Sequence, residues 1–443
     1  MELLHDKQKQ NVKKDILILV EHVARELDIA CLIKCILENK FHYRVHISSL
    51  PYYRYTKPVD GFSPSVIVTP FFYSIDSFHV VLGEFPEASV ANLGYEQIFQ
   101  NINENLKSPK DIPAKEYVMH HVWSEHSRDY LAHFGVRDQN LIINGNLSYS
   151  LYKEPYKNYF RKREELALEF QLDPRSRWVL IPENYAAAFY SDANIRERIT
   201  KGINEDEVVH YRDFARNSLA TVVKWISLTL TTYNGELIFR PRPAVPIQEM
   251  KTFFLNIESD LPKNLHMNKK YSVKEWILAS DVVISSYSTT LIEASIAGKP
   301  IYMLEPILFP HYLQAPWYGM VDRISSLENF KEALQYPASD NYLALKNWAE
   351  VNMMKNSDTI KGAIDFIKEV ERRQIKIPKQ FIHFRKFHEF NEGFINKIKC
   401  LLKHVPIYIL KKKNPDYEFD YFTKRDIDRR VSLWKDVLDM KSR

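Results

Sequence analysis

Residues Asp281–Pro306, DVVISSYSTTLIEASIAGKPIYMLEP, read as strand, tight turn, helix and strand. Val282-Val283-Ile284 is a short apolar β run, and Ser285 to Ser288 form a polar turn. Leu291, Ile292, Ala294, Ser295 and Ala297 pattern a small-residue helix, which Gly298 and Pro300 stop before a second apolar strand at Ile301–Leu304. A polar turn at the carboxyl end of a strand, leading into a helix, is where open α/β sheets bind phosphorylated ligands. Ser285, Ser286, Ser288, Thr289 and Thr290 would supply hydroxyls and amides to such a ligand, and Glu293 in the first helical turn would reach a ribose or sugar hydroxyl. Thr290-x-x-Glu293 is also a legal capping box, so Glu293 has a second available role at the helix start.

Working outward, strand-like and helix-like runs alternate on both sides of a linker. Asp15–Val20 (DILILV) is followed by a helical pattern through Val23, Leu27, Ala30 and Ile33. Tyr43–Leu50, Ser65–Phe72, Ala88–Leu93, Tyr117–Trp123 and Leu141–Ile143 are further strands. After a polar segment at Tyr156–Gln171 come strands at Trp178–Ile181, Glu236–Arg240 and Asn264–Met267, a long helix at Glu207–Thr232, and a short helix at Val273–Ala279. The span Ser191–Asp206 reads as a loop or an insertion. Alternation of this kind predicts α/β architecture with parallel sheets covered on both faces. At 443 residues the chain is too long for one ordinary core. The expected division is a Rossmann-like domain at 1–155, a second Rossmann-like domain at 170–345 facing it across a cleft, and a helical basic extension at 346–443.

Bulk properties exclude several classes. Apolar content of 45% with 13% aromatic residues is globular. A net charge of +5 is modest, and no nucleic-acid motif is present. Three cysteines (Cys31, Cys35 and Cys400) without a CxxC pair favour free thiols in a reducing compartment. No signal-peptide pattern and no twenty-residue apolar run is present, which predicts a cytoplasmic protein. GxGxxG, Walker A and HExxH are absent, and the one Asp-x-Asp, Asp426-Ile427-Asp428, lies in a charged helical run. No metal and no cofactor are therefore expected. From Arg372 to Lys413, twelve Lys and Arg residues stand against Glu389 and Glu392 and interleave with Phe and Leu. That pattern suits either an anionic membrane surface on the inner face of the cytoplasmic membrane or a helix packed on the domains.

Candidate chemistry sits at strand ends. Glu21, Arg25, Glu26 and Asp28 follow the first strand, Gly94-Tyr95-Glu96-Gln97 follows the fourth, and His121 lies on the fifth. Asn146 ends the turn Asn144-Gly145-Asn146, and Arg240-Pro241-Arg242-Pro243 ends a strand of the second array. Glu183 and Asn184 end Trp178–Ile181. Glu21 and Arg25 are also an i,i+4 pair that a helix surface would tolerate.

These elements resemble GT-B glycosyltransferases of bacterial capsule and surface-polysaccharide biosynthesis. EHVARELD is similar to that group's E-x-x-x-RELD-like signature, and Tyr95-Glu96-Gln97 to its YEQ-type element. VWSEHSRDYLAHFGV…IINGN resembles VWG…GV…VTGNP, with Ser124 where Gly is usual and Leu147 where Pro is usual. Arg242 replaces the His of the group's RPHP element, and an arginine cannot act as a base. The second-array pattern also resembles CDP-glycerol glycerophosphotransferases. The resemblance implies transfer of a sugar from a nucleotide-activated donor to a capsule or lipopolysaccharide acceptor, possession of a glycan or lipid-linked glycan site, and no metal. Glu21, Glu26, Asp28 or Glu96 would be base or nucleophile. Arg25, Gln97, His121 and Asn146 would line the acceptor side or the cleft. Arg240 and Arg242 would join the Ser/Thr turn and Glu293 on the donor. Rival expectations are a CDP-glycerol or CDP-ribitol phosphotransferase, a non-hydrolysing epimerase, and a non-catalytic scaffold of a polysaccharide-assembly complex.

Overall fold

The computed structural model describes residues 14–97, 107–200, 202–242, 245–383 and 420–439. They form two compact units. The first comprises the described residues up to Gln97, Ser108–Leu147, and the described residues from Asp358 onward; the second contains Ser148–Ser357.

The first unit holds a six-stranded sheet of β1 (Asp15–Val20), β2 (Arg44–Ser49), β3 (Pro64–Thr69), β4 (Ser89–Asn92), β5 (Val118–Val122) and β6 (Leu141–Ile143). Its order is β2-β1-β3-β4-β5-β6, and every pairing is parallel. The continuous apolar runs in the sequence follow from this: a parallel strand covered on both faces has no polar side to present, and every residue of β1 is buried. The second unit repeats the plan with β7 (Trp178–Pro182), β8 (Glu236–Arg240), β9 (Leu265–Met267), β10 (Val282–Ser285), β11 (Ile301–Leu304) and β12 (Arg323–Ile324), in the order β12-β11-β10-β7-β8-β9, again parallel. Its core gathers Trp178, Trp276, Phe239, Phe254 and the inner face of the 26-residue helix Glu205–Leu230. Two Rossmann-like units with a helical C-terminal region are the GT-B arrangement of folds.

The boundaries differ from the sequence reading in two places. The chain passes to the second unit at Ser148, because Tyr149 and Tyr152 are buried in its core. The helix Thr359–Arg373, expected in a separate extension, packs on β3, β4 and β5 of the first sheet. Its start docks on the Asn144-Gly145-Asn146 turn: Asn144 Nδ2 donates to the Thr359 carbonyl at 2.8 Å, and Thr359 Oγ1 donates to the Asn146 carbonyl at 3.1 Å. A Cβ at Gly362 would lie 1.8 Å from Asn144 Oδ1, so only glycine permits this approach. The helix Lys424–Val437 also joins the first unit, packing on the helix Asp28–Phe41 with Trp434 fully buried. Asp426 is its capping-box residue, accepting from Thr423 N at 2.9 Å and Thr423 Oγ1 at 2.7 Å. The span Ser191–Asp206, expected to be a loop or an insertion, contains a helix at Asp192–Thr200. Most of the basic stretch, residues 384–413 together with Cys400, lies outside the described residues. Among the described residues no helix is long and apolar enough to cross a membrane.

Candidate functional site

In each sheet the strand order reverses direction at one place, between β1 and β3 in the first and between β7 and β10 in the second. Ligands of open parallel sheets bind beyond the carboxyl ends of the strands at such a switch point. Both places coincide with clusters nominated from sequence.

At the first switch, β1 runs into Glu21 and His22, then a π-helical turn, Val23–Leu27. That wide turn folds Glu26 back beneath the strand end. Its fully buried carboxylate accepts Glu21 N at 2.6 Å, His22 N at 3.3 Å, and Arg25 through Nε at 2.9 Å and Nη2 at 2.6 Å. The Arg25 guanidinium also pairs with Glu21 over 3.1 Å and, through Nη1, with Glu96 after β4. One cation thus holds three carboxylates. Burial pulls Arg25 down, but Glu26, Glu96 and Glu21 outweigh it and hold it firmly protonated. Burial pushes the Glu26 carboxyl up, and Arg25 works against that shift.

Two expected bases have other work. Glu26 is enclosed and saturated by four donors. Asp28 pairs with Arg430 Nε at 2.9 Å and its carbonyl accepts Trp434 Nε1 at 2.9 Å, so it fastens the C-terminal helix. Glu21 and Glu96 remain at the rim, with side chains 16% and 43% exposed. Beside Glu21 stands a group whose partner is remote along the chain. His22 Nδ1 lies 2.9 Å from Asp420 Oδ2, while Asp420 Oδ1 accepts Val23 N at 2.8 Å. The other ring nitrogen, Nε2, is 3.8 Å from Glu21 Oε2. A carboxylate on Nδ1 fixes the tautomer and leaves Nε2 as the basic atom. Burial lowers the imidazole pKa, but the Asp420 hydrogen bond with the Glu21 and Asp420 charges outweighs burial and Arg25, and the net shift is upward from 6.5.

Three residues expected on the acceptor side serve the interior of the first unit. The Gln97 amide spans the Gly94 and His121 carbonyls at 3.0 and 2.8 Å and accepts Trp123 N at 2.9 Å, which sets the exits of β4 and β5. His121 is fully buried, with Nδ1 3.0 Å from the Leu93 carbonyl and Nε2 accepting Asn144 Nδ2 at 2.8 Å. Its pKa falls to about 4 through burial, which keeps the ring neutral. Asn146 is buried and receives Thr359 on its carbonyl.

In the second unit, Ser285 Oγ donates to the Pro182 carbonyl and Asn184 Nδ2 to the Tyr287 carbonyl at 3.1 Å, tying the ends of β10 and β7 together. Glu183 is buried, accepting Tyr185 N on one oxygen and Arg242 N on the other at 3.2 Å, so its carboxylate joins the β7 and β8 exits. Arg240, expected on the donor, has its terminal nitrogens engaged within the unit. Its Nη1 donates to Asn268 Oδ1 and the Lys270 carbonyl at 3.4 and 3.0 Å, and its Nη2 to the Lys269 carbonyl at 3.1 Å and the Tyr271 carbonyl. All four terminal N–H groups fasten the loop after β9, and burial lowers the guanidinium to about 10. Arg242 is exposed. Ser285 and Ser286 are buried, Ser288 and Thr290 half-buried, and Thr289 exposed.

The helix Thr290–Ile296 settles the two roles open to Glu293. Its start is served by Ser288, whose Oγ accepts Thr290 N at 3.3 Å. Glu293 instead accepts the Tyr152 hydroxyl at 2.7 Å and has Lys274 Nζ at 3.7 Å. Lys274 and Tyr152 carried no local signal: one sits in an unremarkable helical pattern, the other in what read as the first domain. Among the described residues no group of three His, Cys, Asp or Glu side chains could hold a metal ion. A groove of 620 Å³ lined by Phe189, Tyr190, Arg216, Glu249 and Phe253 contains none of the nominated residues.

Comparison with known proteins places this geometry in a fold. The chain is similar to a protein assigned as UDP-N-acetylglucosamine 2-epimerase from Listeria monocytogenes (TM-score 0.51, 10% identity, 82% of this chain and 99% of that one). It is similar to a variant of the wall teichoic acid polymerase TagF (TM-score 0.53, 10% identity, 82% and 90%). It is also similar to S. aureus MnaA in a structure with UDP (TM-score 0.50, 9% identity, 80% and 96%). At these identities the likeness is one of fold: the chain has the GT-B type of architecture. No protein-family model and no curated protein sequence matches it.

Proposed function

We propose that the protein is a GT-B glycosyltransferase that moves a sugar from a nucleotide-activated donor to a surface-polysaccharide acceptor of the capsule or lipopolysaccharide kind, without a metal ion. The observation that carries this reading is the coincidence of both topological switch points with site-like clusters: Glu21, His22, Arg25 and Glu96 in one unit, the Ser285–Thr290 turn with Glu293 in the other. The fold likeness to MnaA, which was solved with UDP, supports a nucleotide ligand. In this reading Ser288, Thr289 and Thr290 contact the donor and Glu293 its ribose or sugar hydroxyl. Glu21 or Glu96 takes the acceptor proton, and Arg25, paired with both, fixes where their carboxylates stand. The protein works in the cytoplasm, on a glycan or lipid-linked glycan, with residues 372–413 offered to an anionic membrane face.

A nucleotide panel read by thermal shift tests the donor site, since a ligand bound only by the native state raises its melting temperature. Stabilisation by a nucleoside diphosphate is expected, and it persists in EDTA. Stabilisation by CMP alone transfers the assignment to a polyol phosphotransferase, and silence across the panel to a scaffold. Glu96→Gln and Glu21→Gln should bind nucleotide as the wild type does but lose turnover; full activity in both sinks the proton-acceptor assignment.

A further inference from the structure

We infer that Asp420, carried by the C-terminal segment, is a positioning residue of the first unit's site: through His22 it fixes the surroundings of Glu21. This rests on the reading of Glu21 as a proton acceptor and deepens it, adding a group that lies 398 positions along the chain from His22.

Asp420 is seated across the exits of β1 and β2. One carboxylate oxygen accepts Val23 N at 2.8 Å and the other meets His22 Nδ1 at 2.9 Å. A single side chain therefore grips two consecutive residues where β1 gives way to the π-helical turn. The Asp420 carbonyl accepts the Ser49 hydroxyl at 3.0 Å, at the end of β2. Next to it Tyr421 sets its ring edge-on to Tyr52, with centroids 5.6 Å apart, and Phe422 is buried. The segment has other anchors, since Trp434 is fully buried and Arg430 pairs with Asp28. Burying a carboxylate is costly unless it is paired, so a tether alone would be served as well by an apolar side chain. What the carboxylate adds is control of an imidazole. The His22 side chain is 38% exposed and that of Asp420 only 9%, so the ring is held from its inner side and left at the rim. With Nδ1 donating to Asp420, the tautomer and the plane of the ring are set. Nε2 lies 3.8 Å from Glu21 Oε2, and Arg25 Nη2 stands 3.1 Å from that same oxygen. Glu21 thus has a guanidinium and an imidazole beside it, and Asp420 decides how the second is turned. A displacement of about 1 Å at a reacting group costs on the order of a hundredfold in rate, so the effect of Asp420 falls on turnover and not on donor binding.

The test is a double-mutant cycle on the full chain. Nucleotide release is followed from UDP-, GDP- and CMP-activated sugars offered with purified capsular or lipopolysaccharide glycan. Asp420→Asn keeps an acceptor for Val23 N but sets an N–H against His22 Nδ1, which turns the imidazole to its other tautomer. It should lower kcat by roughly 10- to 100-fold while the KM for the donor changes less than about threefold. His22→Gln should do the same, and the double variant should be no slower than the slower single one, because both act through one contact. A purely fastening role predicts another pattern: a lower melting temperature with normal kcat in the folded protein, as expected of Arg430→Met, which loosens the same segment away from His22. Should Asp420→Asn fail to fold, His22→Gln breaks the contact from its exposed side, and the same loss of kcat is expected. Normal kcat in both variants, or losses that simply multiply in the double one, overturns the role of Asp420. With Glu21→Gln inactive, either result leaves the proton-acceptor reading standing. A wild type that turns over none of the sugars overturns both.

Discussion

The Tyr152 hydroxyl donates to the Glu293 carboxylate over 2.7 Å, and this bond removes Glu293 from the start of its own helix. Ser288 serves that start instead. The two roles therefore separate by mutation. Tyr152→Phe should cost the second unit about 1.5–3 kcal/mol, the usual worth of a hydrogen bond to a charged group. Ser288→Ala should cost about 1 kcal/mol through the lost cap. Urea denaturation measures both. A Tyr152→Phe protein as stable as the wild type would return Glu293 to the capping role.

Arg240 should behave as a structural residue. Its four terminal N–H groups meet acceptors on residues 268–271, a fan that the three donors of an ammonium cannot copy. Arg240→Lys is expected to lose about 1–3 kcal/mol of stability while nucleotide affinity changes less than threefold, roughly 0.7 kcal/mol. A protein of normal stability with a large loss of affinity would restore the phosphate-clamp role.

The strands were legible because a parallel sheet covered on both faces leaves an unbroken apolar run, and DILILV and Val282-Val283-Ile284 can be little else. The strand-end positions of Glu21, Glu96, Arg240 and the Ser/Thr turn were legible for the same reason. What each of those residues touches was not. Asp28 looked like a base until Arg430 came to it from 402 positions away, and His22 had no visible partner because Asp420 lies 398 positions away. His121 and Gln97 read as site residues since polar groups at strand ends are rare, yet buried strand exits also need their carbonyls and amides satisfied. Local pattern fixes where a side chain starts. The partners that arrive from elsewhere fix what it does.

Gly362 should tolerate no side chain. The Cβ of alanine would sit 1.8 Å from Asn144 Oδ1, and Asn144 is itself held by the Thr359 carbonyl and His121 Nε2. Gly362→Ala, which ought to favour a helix by about 1 kcal/mol, should instead destabilise the first unit by roughly 1–3 kcal/mol. Chemical denaturation followed by circular dichroism checks the sign, and a stabilised variant would refute the close approach.

The histidines predict two pH responses of opposite sign. His120 and His121 are both pulled down to about 4 by burial, which their backbone hydrogen bonds only partly offset. Below 6.5 the unfolded chain takes up protons at these rings while the folded chain does not, so stability falls with decreasing pH from 6.5 towards 4. Each ring contributes a slope of about 1.4 kcal/mol per pH unit across that window. His22 runs the other way, because its folded pKa is raised. Its contribution is complete below 6.5 and disappears as pH rises through the folded value. Asp420→Asn should therefore cost more stability at pH 5.5 than at pH 8.5. Selective 13C labelling of histidine gives the direct readout: the His120 and His121 rings should show no titration down to pH 5, and the His22 ring should titrate above 6.5. In Asp420→Asn the His22 midpoint should move down, while the two buried rings stay where they were. A buried ring titrating near 6.5 would mean that water reaches the β5 interior, and an unmoved His22 midpoint would mean that Asp420 does not hold it.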